Sequence, residues 1–252
     1  MSWIPLSGAA NVRDLGGLPL ADGGATSYGE LVRADNLQGL TGEDVDLLVG
    51  MGLSTVVDLR SPYEVLAEGP GPLVGVVEHR THSLVPEAGA GTDIDADYLM
   101  LRREHVGARF PADPVVAFYL AYLSDRPESV VGALRAVSEA KGAAVVHCAA
   151  GKDRTIVVIA LALAVAGVER EAIVADYAAT GERIGDILAR LRASPTYVAD
   201  IDRLPDEKHK PRAESMAVFL DQLDADWGGP LGWLEANGFQ APDVERLRTK
   251  LR

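Results

Sequence analysis

The strongest hydrophobic signal in the chain is a pair of apolar runs on either side of one polar stretch. Ala143-Ala144-Val145-Val146 is short and ends on β-branched residues, as a strand buried on both faces requires. Ile156 to Val168 is rich in Ala, Leu and Val, as a helix buried on most sides requires. Between them lies His147-Cys148-Ala149-Ala150-Gly151-Lys152-Asp153-Arg154-Thr155. The pattern predicts strand, tight loop, helix. Backbone N–H groups at a helix start have no intrahelical partner and share the positive end of the helix dipole, so the loop is a place for an anion.

The other elements follow from the same periodicities. Asn11 to Gly17 and Glu30 to Asp35 read as two short extended pieces around a turn containing Asp22-Gly23-Gly24. Thr41 opens a helix, with Leu40 and Val45 placed as a hydrophobic staple, Glu43 and Asp44 in the first turn, and Gly50 or Gly52 at its end. Ser54 to Leu59 and Val74 to Arg80 read as strands. The first delivers Asp58 and Arg60 to a strand end, where ligands gather in open parallel sheets. Helical spacing recurs at Val116, Tyr119, Leu120 and Leu123, then from Val130 to Val137, from Ile184 to Leu191 and from Met216 to Leu223. Phe118, Tyr119, Tyr122 and Phe219 sit at core spacings and receive no ligand. Residues 86–125 form a candidate lid, least regular over 86–114, because a long connection inside a compact domain is usually functional or mobile. Pro195 to Pro211, charged and punctuated by proline, reads as a surface loop. The expectation is an α/β fold, a single domain over 1–252 with a central, mostly parallel sheet and helices on both faces.

Composition narrows the partners. A net charge of −13 disfavours general affinity for nucleic acid or for an anionic membrane, so an anionic substrate must be attracted locally. The most apolar run is shorter than the ~18 residues a membrane helix needs, so no stable membrane insertion is expected, and no signal peptide is evident at the N-terminus. One cysteine excludes an intrachain disulfide and suits a reducing compartment. A cytoplasmic location is therefore expected, with non-classical secretion left open, and the oligomeric state is not determined by these features.

The loop carries the candidate chemistry. A helix N-terminus and nearby cations lower a thiol's pKa by several units, which would make Cys148 a thiolate. Arg154 offers a planar fork of donors for two phosphate oxygens, and Lys152 adds a compact positive charge. Together they would hold a tetrahedral dianion over the sulfur, as in-line phosphoryl transfer requires. A leaving group also needs a proton. Asp153 stands first as donor, since a bound phosphate dianion would hold its carboxyl neutral; Asp58 is second, and Asp93, Asp95, Asp97 and Asp113 follow. The competing reading of Asp153 is a first-turn acid that stabilises the helix, and the catalytic reading stands modestly ahead of it. Arg13, Arg33, Arg60, His79 and His82 are individually expected to be structural, yet as a group they could supply a local positive field. Arg13, Asp58 and Arg60 are the substrate contacts nominated among the residues outside the loop. Arg102, Arg103, His105 and Arg109 could contact an inositol phosphate or phosphopeptide, though a charge run is usually a solvated face.

The stretch from His147 to Thr155 resembles the signature loop of cysteine-dependent protein tyrosine phosphatases, and its Lys152-Asp153 pair resembles that of the bacterial tyrosine/serine protein phosphatase subfamily. Asn11 to Gly17, Asp58 to Ser61 and the Met216 to Leu234 region resemble further elements of that subfamily, in order, over nearly the whole chain. The resemblance implies a three-layer tyrosine phosphatase-like fold and hydrolysis of phosphate monoesters through a phosphocysteine. It implies Cys148 as nucleophile, Arg154 as phosphate binder, the N–H groups from Ala149, Ala150, Gly151 and Lys152 to Arg154 as a cradle that takes phosphate or sulfate, and Asp153 as acid. No metal or cofactor is implied. Phosphotyrosine, phosphoserine/threonine and phosphoinositide substrates all stay open. One departure is Ile156, where many such loops continue with glycine. Two other classes share the feature of an anion-binding loop with a cysteine: a phospho-ligand binding module without turnover, and a sulfur-transfer or arsenate-reducing enzyme. A complete Cys, Asp and Arg set argues against the first, and the absence of further cysteines argues against arsenate reduction.

Overall fold

The computed structural model describes residues 1–85 and 113–252. Among the described residues, six strands form one sheet: β1 (Ser2–Trp3), β2 (Arg13–Asp14), β3 (Leu31–Ala34), β4 (Leu53–Asp58), β5 (Glu78–Thr81) and β6 (Ala143–His147). Their order is β1-β2-β3-β6-β4-β5; β3, β6, β4 and β5 run parallel, and β1 and β2 join antiparallel at one edge. The mostly parallel α/β expectation therefore holds. Register sets the site: Ala34, His147, Asp58 and Thr81 lie side by side at the carboxyl end of the parallel strands.

Alternation along the central strands sorts side chains between two cores. Ala144 and Val146 join Leu31 and Val57 on one face, while Ala143 and Val145 join Val32 and Val56 on the other. The second face is covered by α1 (Gly42–Gly50), opened by the expected Thr41, whose side chain and that of Asp44 form a reciprocal capping box. After β4 comes a short helix, α2 (Pro62–Glu68), which periodicity did not predict.

The first face is covered by α3 (Pro114–Asp125), α4 (Pro127–Glu139) and α5 (Asp153–Ala166). Further along the chain come α6 (Arg170–Ala179), α7 (Ile184–Arg192), a turn of helix α8 (Val198–Ile201), α9 (Ala213–Trp227), α10 (Pro230–Ala236) and α11 (Ala241–Leu251). Of these, α6, α9, α10 and α11 extend the first-face core, with Phe219, Trp233 and Leu247 at most 2 % exposed. Eleven of the fourteen α5 residues are buried, as the apolar run required, and Gly167 ends the helix in the left-handed region at φ +84°.

Three expectations change. The strand placed over 74–80 starts at Glu78, because Gly71 to Val77 is a series of turns with Gly75 at φ +82°. The last twelve residues of the 86–125 lid candidate are the core helix α3: Asp113 caps it, Pro114 starts it, and Val116, Tyr119 and Leu123 are buried. Residues 86–112 of that candidate, with Asp93, Asp95, Asp97, Arg102, Arg103, His105 and Arg109, lie outside the described residues. The 195–211 segment is not all surface: Tyr197 is buried against α7 and Ala149. Among the described residues, no helix is long and apolar enough to cross a membrane.

Candidate active site

β6 ends at His147 and α5 begins at Asp153, so the five residues between them make the turn that the apolar runs predicted. Donors from the N-terminal segments hold that turn from behind. The Asn36 N–H donates to the Ala149 carbonyl at 2.9 Å. Asn11 Nδ2 donates to the Ala150 and Gly151 carbonyls at 3.0 and 3.1 Å, and Arg33 Nη2 donates to Gly151 at 2.5 Å. In a trans peptide the N–H of the next residue points opposite to the carbonyl. Anchoring these three carbonyls therefore directs the N–H groups of Ala150, Gly151 and Lys152 the other way, as a concave set of donors. Gly151 sits at φ +63°, and a Cβ there would lie 2.4 Å from the Ala34 carbonyl oxygen, so only glycine fits.

Cys148 is 2 % exposed and receives a hydrogen bond from Thr155 Oγ1 at 3.2 Å. Arg154 extends its guanidinium to Glu64, whose two oxygens accept from Nη1 and Nη2 at 2.6 and 2.8 Å. Glu64 also closes a capping box with Ser61, accepting from its N–H at 2.8 Å. Burial works to raise the Glu64 pKa, but the charge and hydrogen bonds of Arg154 outweigh it and leave the carboxyl below its ordinary value. Sequence reasoning did not single out Glu64, although Ser61-Pro62-Tyr63-Glu64 is a readable helix-start signature.

Asp58 and Arg60 are paired with each other: Arg60 Nε and Nη2 donate to the Asp58 oxygens at 3.0, 3.1 and 2.6 Å. His147 Nε2 stands 3.5 Å from Asp58 Oδ2, and its Nδ1 stands 3.3 Å from the Cys148 carbonyl oxygen. Burial pushes the Asp58 pKa up, but His147 and Arg60 bring it well below the ordinary carboxylate range. A carboxyl held ionised in this way is poorly suited to donate a proton, which counts against Asp58 as the acid. Asp113 is committed elsewhere, capping α3 and accepting from Arg212 and Ser215 at 2.8 and 2.7 Å.

Asp153, at the first position of α5, keeps 39 % of its side chain exposed and accepts from the Tyr119 hydroxyl at 2.8 Å. Tyr119 is therefore more than the core aromatic its spacing implied. Lys152 Nζ reaches back to the His209 carbonyl at 2.7 Å and stands 3.6 Å from Asp153 Oδ2. Arg13 has no exposed surface, and its donors are taken by Asn11, Asp176 and Thr180. It sits behind the cradle, supporting the asparagine that supports the loop. Arg13 and Arg33 face each other across β2 and β3, and the buried Asp176 bonds both, at 2.8 and 2.5 Å. Its only sequence signal is an acid inside the apolar stretch Ile173 to Tyr177. Ile156, the departure from glycine, is wholly buried in the main core. Among the described residues, no group of three or more His, Cys, Asp or Glu side chains stands together to hold a metal ion.

A family model described as the tyrosine phosphatase family matches residues 4–252. The chain belongs to the tyrosine phosphatase family. Membership makes it a phosphatase, and Cys148 is the one cysteine in its sequence. A protein of Cupriavidus necator, provisionally named a tyrosine-protein phosphatase, is 32% identical over 230 residues, covering 87% of this chain and 78% of that protein. The triple specificity protein phosphatase PtpB of Mycobacterium tuberculosis is 26% identical over 278 aligned positions, covering 98% of each chain. A tyrosine-protein phosphatase of Nostoc commune is 28% identical, covering 87% of this chain and 73% of that protein.

Proposed function

We propose that this tyrosine phosphatase family member hydrolyses phosphate monoesters in two steps at Cys148. The Cys148 sulfur attacks phosphorus in line, the P–O bond to the leaving group breaks, and Asp153 gives that oxygen its proton. Water then attacks the thiophosphate and gives a proton back to Asp153, the S–P bond breaks, and phosphate leaves with the Cys148 nucleophile and the Asp153 acid both restored. Arg154 and the N–H groups of Ala150 to Lys152 stabilise the charge on the equatorial oxygens through both steps. The observation that carries this reading is the sulfur at the start of α5, hydrogen-bonded by Thr155, with Arg154 and the directed loop amides on the same turn.

Phosphotyrosine is the principal substrate, with phosphoserine/threonine and phosphoinositide monoesters within range. The end-to-end match to a phosphatase named for triple specificity supports that breadth. Inorganic phosphate or sulfate occupies the same loop and inhibits competitively. The lone cysteine suits the cytoplasm, which is the proposed location, and cell fractionation checks it.

The test is turnover of p-nitrophenyl phosphate by purified, folded variants. Cys148→Ser abolishes it, and Arg154→Ala lowers kcat by about 10²-fold or more. Retained turnover in Cys148→Ser refutes the phosphocysteine. Parallel rates on phosphopeptides and phosphoinositides rank the substrate classes, and the absence of phosphopeptide turnover refutes phosphotyrosine as the principal one.

A further inference from the structure

Tyr119 lies in the middle of α3 with no exposed surface, its ring edge-on to those of Tyr177 and Phe219 at centroid distances of 6.1 and 5.6 Å. A hydroxyl at that depth needs a polar partner. This one stands 2.8 Å from Asp153 Oδ1 and 2.8 Å from the Tyr177 hydroxyl. A phenol has one proton to donate, and a carboxylate can only accept. The Tyr119 proton therefore goes to Asp153, and the Tyr177 proton turns onto the Tyr119 oxygen. Burial holds both phenols well above the ordinary tyrosine value, and the Asp153 charge adds to it, so both keep their protons at neutral pH.

We infer that Tyr119 is a positioning residue for the proton donor, anchoring Asp153 through Oδ1 so that Oδ2 is the oxygen that carries the proton to the leaving group. The inference rests on the reading of Asp153 as general acid. When the carboxyl is protonated, Oδ1 still accepts from Tyr119 as a carbonyl oxygen, which leaves the proton on Oδ2. The other neighbour cannot do this work: Lys152 Nζ is 3.6 Å from Oδ2 and is bound to the His209 carbonyl. Tyr119 can, because its ring is locked in the core while its oxygen reaches the surface-facing acid. Asp153 has two side-chain torsions to restrain, and a fixed donor on one oxygen restrains both.

The readout is the dependence of kcat/KM on the leaving group, since a poor leaving group needs the proton most. Wild type, Tyr119→Phe, Tyr177→Phe, Asp153→Asn and the Tyr119→Phe/Asp153→Asn double variant are compared on p-nitrophenyl phosphate and phenyl phosphate. Phenylalanine keeps the ring and its packing. Tyr119→Phe is expected to lower kcat/KM about tenfold on phenyl phosphate and about twofold on p-nitrophenyl phosphate, a fraction of what a general acid contributes in full. Tyr177→Phe shows the same bias more weakly. In the Asp153→Asn background, Tyr119→Phe has no further effect on either substrate. Equal losses on both substrates, or an undiminished loss in the Asp153→Asn background, would make Tyr119 a packing residue and overturn the inference. If Asp153→Asn itself leaves the leaving-group dependence of wild type intact, the general-acid reading fails and this inference falls with it. The single variants thus tell the two failures apart.

Discussion

Replacing Asp176 by Asn probes the support on which the loop after β6 rests. The carboxylate has no exposed surface; Oδ1 accepts from Arg13 Nε at 2.8 Å and Oδ2 from Arg33 Nη1 at 2.5 Å. An amide of the same shape accepts at one of those positions and turns an NH₂ toward a guanidinium N–H at the other. It also leaves two buried cations facing each other across β2 and β3. Two hydrogen bonds to charged groups are worth about 1.5–3 kcal/mol each, and breaking a buried ion pair from one side costs about 3–5 kcal/mol. The expected destabilisation is about 4 kcal/mol, which at about 2–4 °C per kcal/mol lowers Tm by about 8–16 °C. Burial and the neighbouring Arg33 charge pull Arg13 down to about 10 against the opposing pull of Asp176, so removing Asp176 takes away the charge that holds its guanidinium up.

The pH dependence has a definite sign. Burial works to raise the Asp176 pKa, but Arg33 and Arg13 outweigh it and hold the carboxyl below its ordinary value. Its contribution is therefore complete above the ordinary carboxylate pKa of about 3.9 and is lost as pH falls through the lower folded value. Urea unfolding followed by tryptophan fluorescence should show a constant gap between wild type and Asp176→Asn above about pH 5, closing at lower pH. Because Arg33 also holds the Gly151 carbonyl, kcat/KM should fall about tenfold in the same variant, as a misplaced binding group does. A loss below about 1 kcal/mol with unchanged kcat/KM would refute the assignment of this cluster as the loop's support.

Two further substitutions test the cradle. Glu64→Ala frees Arg154 and removes the Glu64 half of the α2 capping box, so it should raise KM for p-nitrophenyl phosphate and cost about 1 kcal/mol of stability from the lost Ser61 N–H bond. Glu64→Gln keeps the cap while losing the ion pair, so a KM rise confined to the alanine variant would contradict the pairing argument. Gly151→Ala forces a Cβ against the Ala34 carbonyl at a left-handed φ and should cost about 1–3 kcal/mol with a collapse of turnover. Calorimetry and initial rates check it, and wild-type values in both would show that the turn has another conformation.

The strand, loop and helix around Cys148 were legible because local rules sufficed. A fully apolar β-branched run, a polar turn with glycine and a long apolar run each specify backbone geometry through near neighbours. Thr41 as the start of α1 was legible for the same reason. The short α2 escaped because seven residues carry too little periodicity, although Ser61 and Glu64 marked its start. The 74–80 strand was placed early because Val74 and Val76 have the strand period of two while Gly71 and Gly75 sit in turns that bend the backbone out of the sheet. Tyr119 looked like any core aromatic, since spacing reports the side a residue faces and not where a hydroxyl at the end of its ring arrives.

By itself, the sequence determined which groups share the proposed cradle: a thiol, an arginine and an acid confined to one turn at a helix start, where covalent connectivity keeps them together whatever the rest of the chain does. Tertiary structure alone decided which partner each would have. Asn11, Arg33 and Asn36 meet the loop carbonyls from more than a hundred residues away, Asp176 joins two arginines from a later helix, and Glu64 reaches Arg154 from across the sheet edge. Such pairings depend on strand order and helix packing. Those are set by the burial of many apolar side chains at once, and no local stretch of sequence encodes them.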